Sequence, residues 1–152
     1  MITKYPLTVN IEPIIKQVSS LDFQKSLVLN ETTGTLLNGD YTVKAEFRDT
    51  PLGDVLEQLG DIGEARLLKL ESAESYTAHC DPDDRLHLAI ITNPYCYLID
   101  FDSNAMYHIP ADGQVYLMDT SYTHVAANFG GRSRIHLNVR VKLPKVKTQG
   151  VK

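Results

Sequence analysis

His79-Cys80-Asp81 is the stretch whose residue types and spacing can do chemistry. In an extended strand successive side chains point to opposite faces, so His79 and Asp81 project to one side and Cys80 to the other. An imidazole and a carboxylate side by side make a two-toothed clamp for a metal ion. A further imidazole from His124, 45 residues on, would complete a two-His, one-carboxylate set, the facial arrangement that leaves open positions on non-haem Fe(II). On its own a His-x-Asp tripeptide more often marks an exposed strand than a metal site, so its surroundings have to carry the reading.

The elements that must position these groups change in texture near residue 65. Before it, Ile11, Ile14, Ile15, Val18 and Leu21 recur at helical spacing, with Pro13 in the first turn where proline is tolerated. Asn38-Gly39-Asp40 predicts a hairpin joining Thr35–Leu37 to Tyr41–Val43. Thr50, Pro51 and Gly60 bracket a second helix with Leu52, Val55, Leu56 and Leu59 on one face. From Ala65 onward short apolar strands follow at close intervals: 65–70, 76–81, 85–91, 95–101, 106–109, 115–118, 124–127 and 134–141. The expected fold is mainly β, an antiparallel jelly roll with two or so short N-terminal helices packed on one sheet.

Two of these strands alternate in a telling way. Arg134, His136, Asn138 and Arg140 share one face of the last strand, against Ile135, Leu137, Val139 and Val141 on the other; Arg85 and His87 likewise oppose Leu86, Leu88 and Ile90. With helices over the apolar face, the polar face lines the barrel interior and forms a ligand site. Arg140 is expected to meet water.

With 152 residues and 43% hydrophobic composition, the chain suffices for one domain with a real core, assigned to residues 1–144, followed by a flexible basic tail at 145–152. A formal charge of −4 gives no basic footprint for nucleic acid or an anionic membrane. No apolar run approaches the ~20 residues of a membrane span, and the first residues carry no signal pattern, so a cytoplasmic protein is expected. Cys80 and Cys96 are expected as free thiols there.

From Ala65 to Val141 the sequence resembles the aspartyl/asparaginyl β-hydroxylase-like family of Fe(II)/2-oxoglutarate-dependent dioxygenases, related to free-proline hydroxylases. The likeness rests on a strand leading into His79-x-Asp81, on Arg85-Leu86-His87-Leu88, on Gly113…Asp119…His124, on Asn128, and on Arg134 ten residues after His124. It departs at Glu71-Ser72-Ala73-Glu74, where relatives often carry a Pro-Gly turn. The resemblance implies a double-stranded β-helix, cupin-like, with His79, Asp81 and His124 as catalytic iron ligands and Arg134 as the partner of the distal carboxylate of 2-oxoglutarate. His87 and Arg85 become candidates for further co-substrate contacts, while Asp119 and Asn128 would fix His124 without ligating.

What the resemblance implies is a hydroxylase using Fe(II), 2-oxoglutarate and O2, with ascorbate as reductant, that acts on an amino acid or a peptide residue of Asp, Asn or Pro type and releases succinate and CO2. A guanidinium suits Arg134's role because its rigid fork of donors grips a carboxylate bidentately. The competing reading is a non-catalytic metal- or small-molecule-binding module on the same scaffold, since fold does not settle function. A cupin-type enzyme without 2-oxoglutarate would gather more histidines and need no such arginine. His108 reads as a surface or satisfied core histidine and His136 as an interior hydrogen-bonded one or a site group. Tyr95, Tyr97 and Tyr107 read as packing or the rim of a substrate mouth.

Overall fold

The computed structural model describes residues 2–144; the tail assigned to 145–152 lies outside the described residues. In chain order the elements are β1 (Ile2–Thr8), α1 (Ile11–Ser19), β2 (Ser26–Val28), β3 (Asn30–Thr32), β4 (Tyr41–Val43), α2 (Pro51–Leu59), β5 (Ala65–Leu70), β6 (Glu74–Ser75), β7 (Arg85–Ile91), β8 (Cys96–Asp100), β9 (Ala105–Tyr107), β10 (Gln114–Met118), β11 (His124–Asn128) and β12 (Arg134–Arg140). Their pairings are antiparallel. A major sheet runs β1-β10-β7-β12-β5-β2 and a minor one β6-β11-β8-β9, with β3-β4 as a separate hairpin. This is the expected jelly roll.

Both helices form where the spacing predicts. Asn10 caps α1 by accepting the Glu12 N–H, and Thr50 caps α2 by accepting the Gly53 N–H, with Pro51 in its first turn. Gly60, at φ 80°, ends α2 in a conformation that a side chain resists. Their apolar faces, Ile14 and Val18 from α1 and Leu52, Val55, Leu56 and Leu59 from α2, pack in one core with Leu86, Leu88, Leu137 and Val139 of the major sheet. Fully burying a side chain of this kind is worth about 1.5–3 kcal/mol, so this layer holds the helices on the sheet. No described helix is long and apolar enough to cross a membrane.

A second, smaller core lies between the sheets, built from Leu70, Ala89 and Met118 on one side and Leu98 and Ala126 on the other. The polar residues of β7 and β12 share that inner face. Arg140 departs from its expected exposure: its side chain is only 14% exposed because its guanidinium grips the buried Asp83 carboxylate.

Three further differences have local causes. Thr35–Leu37 lies in the connection between β3 and β4, where Gly39 N–H donates to Thr35 O at 2.8 Å and closes a turn; the strand partner of Tyr41 is Thr32. Residues 76–81 are extended without forming a continuous strand, touching β11 through Tyr76 N–H to Ala126 O and the isolated bridge His79–His124. β1 has no counterpart in the sequence reading because Pro6 interrupts its pattern; it forms at the sheet edge, where proline is tolerated, with its register irregular between Lys4 and Thr8.

The β1 end is fastened by Val9 N–H donating to Gly113 O at 2.9 Å. Gly113 has φ 88°, and a Cβ there would stand 2.0 Å from Val9 O. Gly113→Ala is therefore expected to lower unfolding free energy by about 2 kcal/mol or more, read as a lower urea midpoint with an unchanged m-value.

Candidate active site

His79, Asp81, Arg85, His87, His124 and Arg134, the six residues singled out in the sequence, all line one cavity of about 340 Å³ between the two sheets. Leu68, Leu98 and Met118 contribute apolar wall. The cavity has a closed and an open side: Arg134 is 2% exposed, whereas the His79 side chain is 44% exposed.

His79 and His124 are brought side by side by backbone pairing. Each donates its N–H to the other's carbonyl, at 3.0 and 2.9 Å, so they are direct cross-strand partners on one face. Their ring centroids lie 4.6 Å apart. Each ring also bonds the carbonyl two residues back, His79 Nδ1 to Thr77 O at 2.6 Å and His124 Nδ1 to Tyr122 O at 2.8 Å. A carbonyl only accepts, so both Nδ1 atoms carry the proton and both Nε2 atoms point lone pairs into the cavity.

Those lone pairs converge on Asp81 Oδ2, which lies 3.4 Å from His79 Nε2 and 3.2 Å from His124 Nε2. Three acceptors facing one another in this way make a ligand set for a cation. One ligand atom from each residue lies within 4.8 Å of the others. Adjacent ligands at right angles on an ion, each about 2.1 Å away, would stand about 3 Å apart, close to the 3.4 and 3.2 Å that separate Asp81 Oδ2 from the two imidazole nitrogens. The donor set therefore fits a divalent metal. Cys80 is exposed, not packed, with its Sγ 3.6 Å from Thr123 Oγ1, and it is not among the residues that line the cavity.

Asp81 Oδ1 accepts from Arg85 Nη2 at 3.1 Å. Arg85 also donates from Nε to Asp83 at 3.1 Å and from Nη1 to Asn138 Oδ1 at 3.3 Å. Asp83 escaped the sequence reading; Pro82-Asp83-Asp84 looks like a solvated turn, yet the Asp83 side chain is fully buried between Arg85 and Arg140. The one local hint is Arg85, two residues on; Arg140 reaches Asp83 only through the β7–β12 register.

The network continues inward through three contacts. Asn138 Nδ2 lies 3.4 Å from His87 Nε2 and His87 Nδ1 lies 3.4 Å from His136 Nδ1, while Arg134 Nη2 donates to His136 Nδ1 at 2.7 Å and takes its one lone pair. Burial and the neighbouring guanidinium of Arg134 hold both imidazoles neutral, pushing His87 down to about 3 and His136 well below its ordinary value. Burial also lowers Arg134, to about 10, which leaves it charged at neutral pH. Among the described residues Arg134 has no carboxylate partner, and His136 Nε2 is buried without a hydrogen bond.

Asp119 and Asn128 hold the turns at either end of β11. Asp119 accepts from Ser121 N–H and Oγ, and Asn128 accepts from Gly130 N–H while donating to Leu70 O and Arg132 O. His108 is exposed and bonds Cys96 O; Tyr97 packs on Phe129 and His108. Tyr76 and Thr77, which the sequence reading did not assign, join the cavity wall.

The neutral histidines make stability depend on pH. Unfolded, each takes up a proton below its ordinary value of 6.5, whereas folded His87 does so only near 3. The unfolded chain thus binds more protons in that window, so stability is full above about pH 6.5 and falls as pH drops. The expected slope is up to about 1.4 kcal/mol per pH unit for each histidine. Urea midpoints measured from pH 7.5 to 4.5 should fall more steeply for the wild type than for His87→Gln.

Known proteins bear on this geometry as follows. An oxidoreductase of the 2OG-Fe(II) oxygenase family from Burkholderia pseudomallei superposes with a TM-score of 0.62 at 11% identity, over 87% of this chain and 77% of that one. A Pseudomonas putida prolyl-4-hydroxylase superposes with a TM-score of 0.56 at 11% identity, over 95% and 93% of the two chains. At such identity these likenesses establish the fold. No curated protein matches the sequence. The family model described as aspartyl/asparaginyl β-hydroxylase matches residues 42–144, more than half of the chain and the whole of the cavity, and the protein belongs to that family.

Proposed function

We propose that the protein is an Fe(II)- and 2-oxoglutarate-dependent dioxygenase that hydroxylates an amino acid or a peptide residue, with succinate and CO2 as co-products. The observation that carries this reading is the pairing, in one cavity, of three convergent acceptors with a buried guanidinium that has no carboxylate partner among the described residues. One end calls for a cation and the other for an anion. An uncompensated buried charge costs several kcal/mol, which a carboxylate entering from solution would offset.

His79 Nε2, His124 Nε2 and Asp81 Oδ2 would hold the metal. Bound there, Fe(II) would supply the redox chemistry that couples oxidative decarboxylation of 2-oxoglutarate by O2 to hydroxylation of a C–H bond. Arg134 would bind the distal carboxylate, held at its angle by His136. The neutral state of His87 and His136 matters here, since two imidazoliums would draw the carboxylate off that axis. Leu68, Leu98 and Met118 exclude water from the closed side. A cavity of about 340 Å³ lies at the small end of ligand sites, which favours a single amino acid or one side chain of a peptide over a large substrate.

Adding Fe(II) and 2-oxoglutarate anaerobically should give a weak visible charge-transfer band, and stoichiometric iron without that band would reject the reading. Aerobic release of succinate in the presence of an acceptable amino acid or peptide separates an enzyme from a binding module. Arg134→Met should weaken 2-oxoglutarate binding by about 100-fold or more while leaving metal uptake intact. Because the substitution also removes a buried charge, the ligand-free variant is expected to melt at the same temperature as the wild type or above it.

A further inference from the structure

The two oxygens of Asp81 face different partners. Oδ2 meets the two histidines at 3.4 and 3.2 Å, while Oδ1 is taken by Arg85 Nη2 at 3.1 Å. Arg85 is itself locked along three edges, its Nε on Asp83 at 3.1 Å and its Nη1 on Asn138 at 3.3 Å. Asp83 is fixed in turn by Arg140 Nη1, at 3.1 and 3.0 Å to its two oxygens. Arg140 stands opposite Arg85 in the β7–β12 register.

The charges of this cluster balance: two arginines against Asp81 and Asp83. Arg85 therefore differs from Arg134, whose charge has no carboxylate partner among the described residues. A carboxylate arriving from solution gains little from a guanidinium already paired in this way.

We propose that Arg85 is a positioning residue that keeps Oδ1 of Asp81 occupied, so that Asp81 ligates through Oδ2 alone. The proposal rests on the metal-centre reading above. A carboxylate chelating through both oxygens takes two coordination positions, and one restricted to a single oxygen takes one. On a six-coordinate ion, two imidazoles and a one-oxygen Asp81 leave three positions, enough for a bidentate 2-oxoacid and O2. Asp83, through Arg85, then helps to set the number of open positions without touching the metal.

The test uses Co(II) as the probe on the full chain, comparing wild type, Arg85→Met and Arg85→Lys. Affinity is read by competition with a chromophoric chelator, coordination by the visible d–d bands, and folding by circular dichroism. Wild type should bind one equivalent. Arg85→Met should bind Co(II) about 10- to 100-fold more weakly with changed d–d bands, yet bind 2-oxoglutarate within about threefold of wild type once Co(II) is saturating. Arg85→Lys restores a cation without the planar fork and should recover part of both affinity and spectrum; if the Met variant does not fold, an unchanged Co(II) affinity and spectrum in the Lys variant overturns the proposal. Wild-type affinity and bands in a folded Arg85→Met protein also overturn it, as does intact Co(II) binding with lost 2-oxoglutarate binding. A wild type that takes up no Co(II), or takes it up equally after His124→Ala, overturns the metal-centre reading and this assignment with it.

Discussion

β7 and β12 are buried on both faces and apolar on only one, and much of the interior follows from that constraint. Their outer residues, Leu86, Leu88, Ile90, Ile135, Leu137 and Val139, share a core with the helices. Their inner residues, Arg85, His87, Arg134, His136 and Asn138, are buried too, and buried polar groups must bond to one another or cost several kcal/mol. The structure meets this with a connected set of polar contacts from Asp81 to Arg134. Among the described residues the charge of Arg134, Nε2 of His136 and, beside Asp83, Nε of Arg140 stay unmet. Unmet polar capacity inside a folded domain is binding capacity held in reserve.

The histidine end of the cavity follows a different logic, in which backbone geometry does the aiming. The paired hydrogen bonds between His79 and His124 set the two rings on one face, and a carbonyl two residues back fixes each tautomer. Both imidazoles thus gain their orientation from the backbone itself, and an ion pair with Arg85 orients the Asp81 carboxylate that faces them.

Much of this was legible in the sequence because the period of two carries over to three dimensions directly. The alternation in β12 pointed to a polar interior, and the same rule set His79 and Asp81 together with Cys80 outside. Spacing could not reveal Asp83: a Pro-Asp-Asp run has the composition of a surface turn, and although Arg85 stands two residues away, only the pairing of β12 with β7 delivers Arg140 to it. Arg140 was misjudged for the same reason, since its partner is distant in sequence. Residues 76–81 were legible as extended but not as discontinuously paired, because which of their backbone groups meet β11 is decided by the partner strand. The edge strand β1 was hidden by Pro6, which costs little where one side of the strand needs no hydrogen bonds.

The two-faced character of β12 has a consequence for how the chain can change. Odd-numbered positions from 135 to 139 fill the helix-side core, and even-numbered ones from 134 to 138 carry the buried polar groups, within the same seven residues. Point substitutions can therefore revise one message while leaving the other readable. Loss or gain of a single residue inside the strand exchanges the two, sending arginine and histidine into the helix layer and leucine into the cavity. For this segment substitution is a graded variable and length is a strict one, so diversity among functional variants should accumulate in side chains and connecting loops while the spacing between Arg134 and Arg140 stays constant.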